Sequence, residues 1–450
     1  MDLFGTAGIR GDVQSKVTPE LALAVGRAAG RDGESFVVGR DGRTTGDGLA
    51  AALESGLLSA GADVTRIGQV PTPTVAYAAQ QRRGVMLTAS HNPPHDNGIK
   101  LFADGREYDA DAEARIEQRV EDDTAPVAWD EWGESERADV LGAYRDAVAE
   151  YARNYGEPLD GLSVAVDCGN GMASVATPQV LRALGADVTA IHANVDGHFP
   201  GRESKPTPET LRDLRTYVAE GDTDLGIGHD GDADRIVVAD STGEVVHEDT
   251  VVAVLGEHYT ARSDAEDPVV VTTPNASARI DERVRAAGGR VERVRLGSLH
   301  EGIASALETG TDDTEVVFAA EPWKHIHTNF GGWIDGVASA AVFSRLVAGP
   351  GLAVLRDPII ERPYRKVSVE CPDDRKASAM GLIADRLPDR VSDATVDTEY
   401  GVRVELPDGS WTLVRPSGTE PYVRVYAESD DVSELVDTVT TVVRGAVDDA

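Results

Sequence analysis

The chain has 450 residues, with 78 Asp and Glu against 43 Lys and Arg, a formal net charge of −35; at roughly 100–200 residues per domain, three or four domains are expected. That charge argues against a nucleic-acid partner, which needs a basic patch, and no run approaches the ~20 consecutive apolar residues of a membrane span. The acid is spread through periodic, foldable sequence rather than gathered in a tail, which reads as a surface adapted to high salt, where ions screen the self-repulsion of the compact state.

The opening MDLFGTAGIRGD lacks the basic flank and apolar stretch of a secretory signal. Cys168 and Cys371, far apart, form neither a zinc spacing nor a disulfide framework. A cytoplasmic, reducing location is expected.

The first predicted α/β stretch runs from SFVVGRDGR (35–43) through an Ala/Leu-rich helix to AGADVTRIG (60–68), a strand, turn, helix and strand. The apolar strand GVMLTAS then delivers Ser90 to a Pro-rich loop within TASHNPPHDNGIK (88–100). A serine in such a place can simply cap a turn. Here His91 stands beside it, Pro93 and Pro94 restrict the backbone, and Lys100 follows an Asn-Gly turn. A hydroxyl becomes a nucleophile only with a base or metal nearby, and either His91 or Lys100 could be the base. The absence of a GxSxG elbow argues against a serine hydrolase.

The second stretch is LSVAVDCGNGM (162–172), the helical TPQVLRALG, and GADVTAI (185–191), with GADVT of 61–65 returning letter for letter at 185–189. Cys168 lies in its apolar part and is expected as a buried thiol. DLGIGHDGDADRIVVAD (224–240) follows, setting Asp230, Asp232 and Asp234 between two apolar strands. Three carboxylates at this spacing, loosened by Gly231, can converge on a hard cation. An EF-hand fails, because it needs Gly where Arg235 stands and Glu where Ser241 stands. A solvated acidic loop is the plain alternative, but small interleaved residues and flanking apolar strands suit it poorly. Oxygen ligation completed by a phosphate oxygen favours Mg²⁺ over zinc, which prefers His or Cys.

The third stretch is PVVVTTPNAS (268–277), the helical ARIDERVRAAGG, and RVERVRLGS (290–298). It leads to FAAEPWKHIHTNFGGWIDG (318–336), where Glu321, Trp323, Lys324, His325 and His327 bring together hydrogen-bonding, cationic and aromatic groups. That mixture suits a sugar, with a core loop holding a satisfied histidine as the alternative; a His-x-His zinc site lacks an adjacent third ligand. The last segment differs, with YRKVSVEC, a short helix near 375–386, the hairpin VRVELPDGSWTLVRP, YVRVYAES and a closing helix at 432–446. Within VRPSGTEPYVRVY (414–426), Ser417, Gly418 and Thr419 offer a nest of backbone N–H groups and hydroxyls, flanked by Arg415 and Arg424. Such a nest binds anions, and arginine grips phosphate bidentately.

The expected fold class is α/β. Three related α/β domains with mixed sheets (1–150, 151–250, 251–358) and a smaller C-terminal α+β domain (359–450) surround a central cleft, one motif falling in each.

At these motifs, with GIRG (8–11) and DGHFPGRESKPTPE (196–209) added, the chain resembles the α-D-phosphohexomutases: phosphoglucomutases, phosphomannomutases and phosphoglucosamine mutases. The resemblance spans essentially the whole chain, and TASHNP together with DGDADR is highly specific. It implies a four-domain, heart-shaped enzyme that interconverts hexose 6-phosphate and hexose 1-phosphate through a phosphoserine and a hexose 1,6-bisphosphate. It implies the phosphoserine at Ser90, with Mg²⁺ held by its phosphate and by Asp230, Asp232 and Asp234. Arg10, His91 and Lys100 match positions near the reacting oxygens, and Arg235 a substrate position. Glu321 and His325 align with sugar-contacting positions, Lys324 joins them in this loop, and Arg415, Ser417, Gly418, Thr419 and Arg424 form the distal phosphate clamp. The chain departs from the family in the sugar loop, where Gly-Glu-x-Ser-Gly-His becomes Ala320-Glu321-Pro322-Trp323-Lys324-His325, and at His198 and Lys205, where Thr and Glu are usual. The loop leans towards glucosamine phosphate, with mannose and glucose phosphates close behind. A Mg²⁺-dependent phosphatase with an aspartyl nucleophile, and a non-catalytic sugar-phosphate-binding protein, are the competing readings.

Overall fold

The structure is a computed structural model that describes residues 3–5, 8–391, 394–417 and 420–450. The chain forms two compact units, Met1–Glu248 with Trp323–Val354, and Asp249–Pro322 with Leu355–Ala450.

In the first unit, seven strands among the described residues make one mixed sheet: β1 (Ile9–Asp12), β2 (Ser35–Arg40), β3 (Asp63–Gln69), β4 (Arg83–Leu87), β5 (Asp96–Ala103), β6 (Arg106–Glu107) and β7 (Ser135–Arg137). Their order is β1-β5-β4-β2-β3-β7, with β6 on β5. Phe36, Val37 and Val38 of β2 are all buried, as expected of a parallel strand covered on both faces. From β2 the chain crosses to β3 on one side through helix Gly46–Ser59, then to β4 on the other through helix Thr72–Ala78. Such a reversal opens a crevice at the carboxyl ends of the two diverging strands. Residues 41–43 and 88–90 leave β2 and β4 at that crevice, which is why Ser90 comes to lie there.

A second sheet of this unit holds β8 (Ser163–Asp167), β9 (Asp187–Ile191), β10 (Leu225–Gly228) and β11 (Val237–Asp240) in the order β11-β10-β8-β9. β10 and β11 are antiparallel, with Gly228 opposite Val237, so residues 229–236 form the loop between them. Cys168 follows β8 rather than lying within it, and burial pushes its thiol up to about 12.

The helix Glu248–Arg262 runs unbroken across the boundary expected at 250. In the second unit β12 (Asp267–Thr272), β13 (Arg290–Arg293) and β14 (Thr314–Glu321) are parallel in the order β13-β12-β14. At Trp323 the chain rejoins the first unit, which receives β15 (Lys324–Ile326) and helix Gly336–Ala348. The second unit is completed by an antiparallel sheet of β16 (Tyr364–Glu370), β17 (Thr395–Asp397), β18 (Val402–Glu405), β19 (Trp411–Pro416) and β20 (Tyr422–Glu428), ordered β16-β20-β19-β18-β17. Its helices are Lys376–Arg386 and Val432–Asp449, the latter longer than the expected 432–446. Among the described residues no helix is long and apolar enough to cross a membrane.

Candidate active site

Ser90 adopts a left-handed backbone, φ +52, which disfavours a non-glycine residue by about 1–2 kcal/mol. Arg43 holds it there. Its guanidinium, only 1 % exposed, donates to the carbonyls of Ser90 (2.9 Å), Asn92 (2.8 Å), Pro93 (2.6 Å) and Asp96 (2.9 Å), and its Nε to Asp41 Oδ2 at 3.1 Å. Asp41 Oδ2 also accepts from the Thr88 hydroxyl at 2.7 Å, and that hydroxyl in turn accepts from Ser90 N at 2.8 Å. The Phe199 ring lies 5.1 Å from the Arg43 guanidinium carbon. Sequence reasoning missed this pair; the available signal was an Asp and an Arg ending an otherwise apolar, buried strand.

The Ser90 hydroxyl donates to Asp230 Oδ2 at 2.7 Å and lies 3.3 Å from His91 Nδ1. Gly231 allows this approach: a Cβ there would lie 2.6 Å from Ser204 Oγ and 2.7 Å from Ser90 O. Ser204 ties the loops together, donating to Ser90 O at 2.8 Å. Thr72, also missed from sequence, donates its hydroxyl to Asp232 Oδ2 at 2.6 Å and its N–H to Asp232 O at 3.0 Å. The three aspartates are buried, and one carboxylate oxygen of each lies within 4.8 Å of the others. Oδ1 of Asp232 and of Asp234 are buried with no hydrogen-bond partner among the described residues. Buried, unmatched carboxylate oxygens are costly unless a cation meets them, so this donor set fits a hard divalent metal.

Burial, then the neighbouring Asp234 and Asp232, push the Asp230 carboxyl well above its ordinary range. Burial would do the same to Asp234, but Lys100, Arg235 and Lys324 outweigh it and hold that carboxyl well below. Lys100 Nζ sits 2.9 Å from Asp234 Oδ2, 3.6 Å from Glu107 Oε1 and 3.8 Å from Asp232 Oδ2. Burial disfavours its charge, yet Asp234, Glu107 and Asp232 prevail and raise its pKa. Without a metal on the aspartates, the Lys100 ammonium is their counter-charge. His91 is lowered to about 3 by burial and by the charges of Arg235 and Arg10, so it is neutral with a lone pair to offer. Arg10, on β1, has its Nε buried with no hydrogen-bond partner among the described residues, and Arg235 Nε lies 3.6 Å from Asp230 Oδ2.

The predicted sugar loop divides. Lys324 pairs with Arg235 in a β-bridge, and its charge reaches Asp234 and His91. Trp323, at φ +66 and partly buried, packs against the cluster of Ala165, Leu211, Leu214, Val218 and Val237, which anchors the loop to the second sheet. His325 is buried beside Ser339. Glu321 lies in the second unit, where its Oε1 accepts from Gly297 N at 2.5 Å.

Of the predicted phosphate loop, Gly418 and Thr419 lie outside the described residues. Arg415 and Arg424 face each other across β19 and β20, an arrangement of like charges that is unfavourable without an anion. Arg415 donates to the Tyr426 hydroxyl at 3.3 Å and Arg424 to Glu420 Oε2 at 2.5 Å. Ser417 Oγ and Arg415 Nε are buried with no hydrogen-bond partner among the described residues. Lys376, another residue missed from sequence, pins the loop by donating to the carbonyls of Ser417 and Glu420, each at 2.6 Å.

Residues 1–126 match the family "Phosphoglucomutase/phosphomannomutase, alpha/beta/alpha domain I", residues 143–243 its alpha/beta/alpha domain II, and residues 366–444 its C-terminal domain. The chain is 40 % identical over 462 aligned positions to a protein named phosphopentomutase from Thermococcus kodakarensis, covering 99 % of each. It is 41 % identical over 461 positions to a probable phosphoglucosamine mutase from Methanopyrus kandleri, covering 99 % of this chain and 98 % of that one. The crystal structure of a phosphoglucomutase/phosphomannomutase family protein from Burkholderia thailandensis superposes with a TM-score of 0.85 at 25 % identity, over 99 % of this chain and 97 % of that one. The chain belongs to the phosphoglucomutase/phosphomannomutase family, the α-D-phosphohexomutases, and is an intramolecular phosphotransferase of carbohydrate metabolism.

Proposed function

We propose that this mutase interconverts the 6- and 1-phosphates of a hexose through a phosphoserine at Ser90 and a hexose 1,6-bisphosphate, with glucosamine phosphate the leading substrate and mannose and glucose phosphates next. The observation that carries this reading is the Ser90 hydroxyl held 2.7 Å from Asp230, inside a buried trio of aspartates. Asp230, Asp232 and Asp234, with a phosphate on Ser90, would hold Mg²⁺, whose contribution when bound is to neutralise phosphoryl oxygens.

Phosphoryl transfer passes through a loose transition state, so the protein's task is chiefly positioning and charge balance. Arg43 and Asp41 set the nucleophile's backbone, and Arg10, Arg235 and Lys100 supply fixed positive charge. His91, through a ring nitrogen, is the candidate acceptor for a hydroxyl proton. Lys324, His325 and Glu321 are the sugar-contacting candidates, and Arg415, Ser417, Gly418, Thr419 and Arg424 the grip on the phosphate that is not being transferred. That grip must accept either end of the bisphosphate, and a pair of arginines reads a phosphate without reading the sugar attached to it.

The substrate leaning draws support from the relatives named phosphoglucosamine mutase. The match to a phosphopentomutase over 99 % of both chains favours a second reading, a pentose phosphate on the same machinery. The test is kcat/KM across glucosamine, mannose and glucose 6-phosphates and ribose 5-phosphate, with a bisphosphate primer and Mg²⁺ in high salt. Intact mass should show one phosphate per chain, absent in Ser90→Ala, and that variant should turn over nothing. Wild-type turnover by Ser90→Ala, or steady release of inorganic phosphate, would remove the phosphoserine reading.

A further inference from the structure

His325 and His327 reach one hydroxyl. Ser339 Oγ lies 3.0 Å from His325 Nδ1 and 2.8 Å from His327 Nε2. Ser339 stands in the first turn of helix Gly336–Ala348, where its hydroxyl donates to the Asp335 carbonyl at 2.7 Å. A serine hydroxyl has one proton and two lone pairs. With the proton committed to Asp335, both lone pairs must accept, so His325 carries its proton on Nδ1 and His327 carries its own on Nε2. Burial keeps both rings uncharged: it lowers His325 to about 3, and burial with the neighbouring His325 holds His327 well below its ordinary value. Each ring therefore has one N–H and one lone pair. For His325 the lone pair is on Nε2, the nitrogen on the far side of the ring from Ser339.

The frame around this hydroxyl is rigid. Asp335 caps the helix, its Oδ1 accepting from Ala338 N at 2.8 Å, while Tyr144 and Trp333 donate to the same carboxylate at 2.8 and 3.1 Å. Asp335 N donates to the carbonyl of His325 itself at 2.9 Å. The bridge between Arg235 and Lys324 sets His325 one residue from a strand contact with the aspartate loop.

We propose that Ser339 is a positioning residue of the mutase: it locks His325 in the Nδ1–H tautomer, so that Nε2 meets the sugar phosphate as an acceptor for a substrate hydroxyl. The Nδ1 proton follows from the hydrogen bonds and the Nε2 lone pair from the burial that keeps the ring uncharged; its use rests on the reading of His325 as a sugar-contacting residue.

The test uses the full-length enzyme labelled with ¹⁵N-histidine, with the His325 signals identified by their loss in His325→Gln. Two-bond N–H correlations should show His325 protonated on Nδ1 in the wild type and in Ser339→Thr, and moved towards Nε2–H in Ser339→Ala. A wild-type ring protonated on Nε2, or a pattern unchanged in Ser339→Ala, overturns the assignment. In the same preparations, kcat of Ser339→Ala should fall about tenfold with KM within about twofold, and Ser339→Thr should recover most of the loss, because a wrong tautomer presents a donor where an acceptor is needed. A tautomer that shifts while kcat stays at the wild-type value leaves the ring assignment standing and overturns both the positioning role and the sugar contact of His325.

Discussion

Ser90 Oγ and Asp230 Oδ2 lie 2.7 Å apart although 140 positions separate them in the sequence. As a hydroxyl, Ser90 donates to that carboxylate. As a phosphate ester carrying about −1.5 to −2 charges it would have no proton to give and would set anion against anion. A cation between them relieves that repulsion, so phosphorylation of Ser90 and metal binding should favour each other by the same factor.

That reciprocity is measurable. The phosphorylated enzyme should bind Mg²⁺ at least about tenfold more tightly than Ser90→Ala, a ratio that corresponds to about 1.4 kcal/mol of linkage. Asp232→Ala should abolish the Mg²⁺ response in both forms. Equal affinities by calorimetry would show that the phosphate and the aspartates do not share a metal.

Replacing Arg43 with Met should do more than weaken the Ser90 loop. It would leave Asp41, fully buried, without its cation, and stranding a buried charge costs about 3–5 kcal/mol. The urea midpoint should drop accordingly, and Ser90 should lose its phosphate. A variant with an unchanged midpoint would mean that the guanidinium does not carry the loop.

Acid should unfold the protein in part through its buried histidines. Burial lowers His229 to about 4 and His325 to about 3, and holds His327 well below its ordinary value. Their folded pKa values lie below the ordinary 6.5, so the unfolded chain binds more protons in the interval between. The stability they contribute is complete above about pH 6.5 and is lost as pH falls towards the folded values, by up to about 1.4 kcal/mol per pH unit for each ring. The slope of unfolding free energy between pH 6 and 5 should therefore be shallower in His327→Gln by up to about that amount. Parallel slopes would place a proton on this ring already in the native state.

The net charge of −35 should make stability depend on salt. Raising KCl from about 0.1 M, where the screening length is about 10 Å, to about 1 M, where it is about 3 Å, should raise the thermal midpoint and sustain activity. A midpoint indifferent to salt would remove the adaptation reading of the acidic surface.

The parts of the site legible in the sequence were those whose chemistry comes as one contiguous string. TASHNP carries Ser90 and His91, and DGDADR carries all three aspartates, so type and spacing were visible together. The recurring strand, helix and strand likewise announced the α/β layers. Residues that act from a distance were not legible. Asp41 and Arg43 look like the polar end of any strand, Thr72 like the start of a helix, and Ser339 like one more small residue in GVASAAVFS. What Lys100 does depends on Asp234 and Glu107 reaching it, and where the Trp323 indole goes depends on Leu211 and Val237 standing beneath it. Both are facts of tertiary packing. The return of the chain to the first unit at Trp323 was not legible, because repeat spacing says nothing about which unit a later segment packs on.

Gly231 leaves no space for even a methyl group against Ser90 O and Ser204 Oγ. The Ser90 loop and the aspartate loop are therefore packed backbone against backbone, with Ser204 bonded to the Ser90 carbonyl beside them. A sugar that is larger, smaller or turned end for end must find its accommodation in other segments of the polypeptide. Variation that broadens or narrows the choice of sugar should accordingly accumulate away from this junction, while the junction itself tolerates almost none.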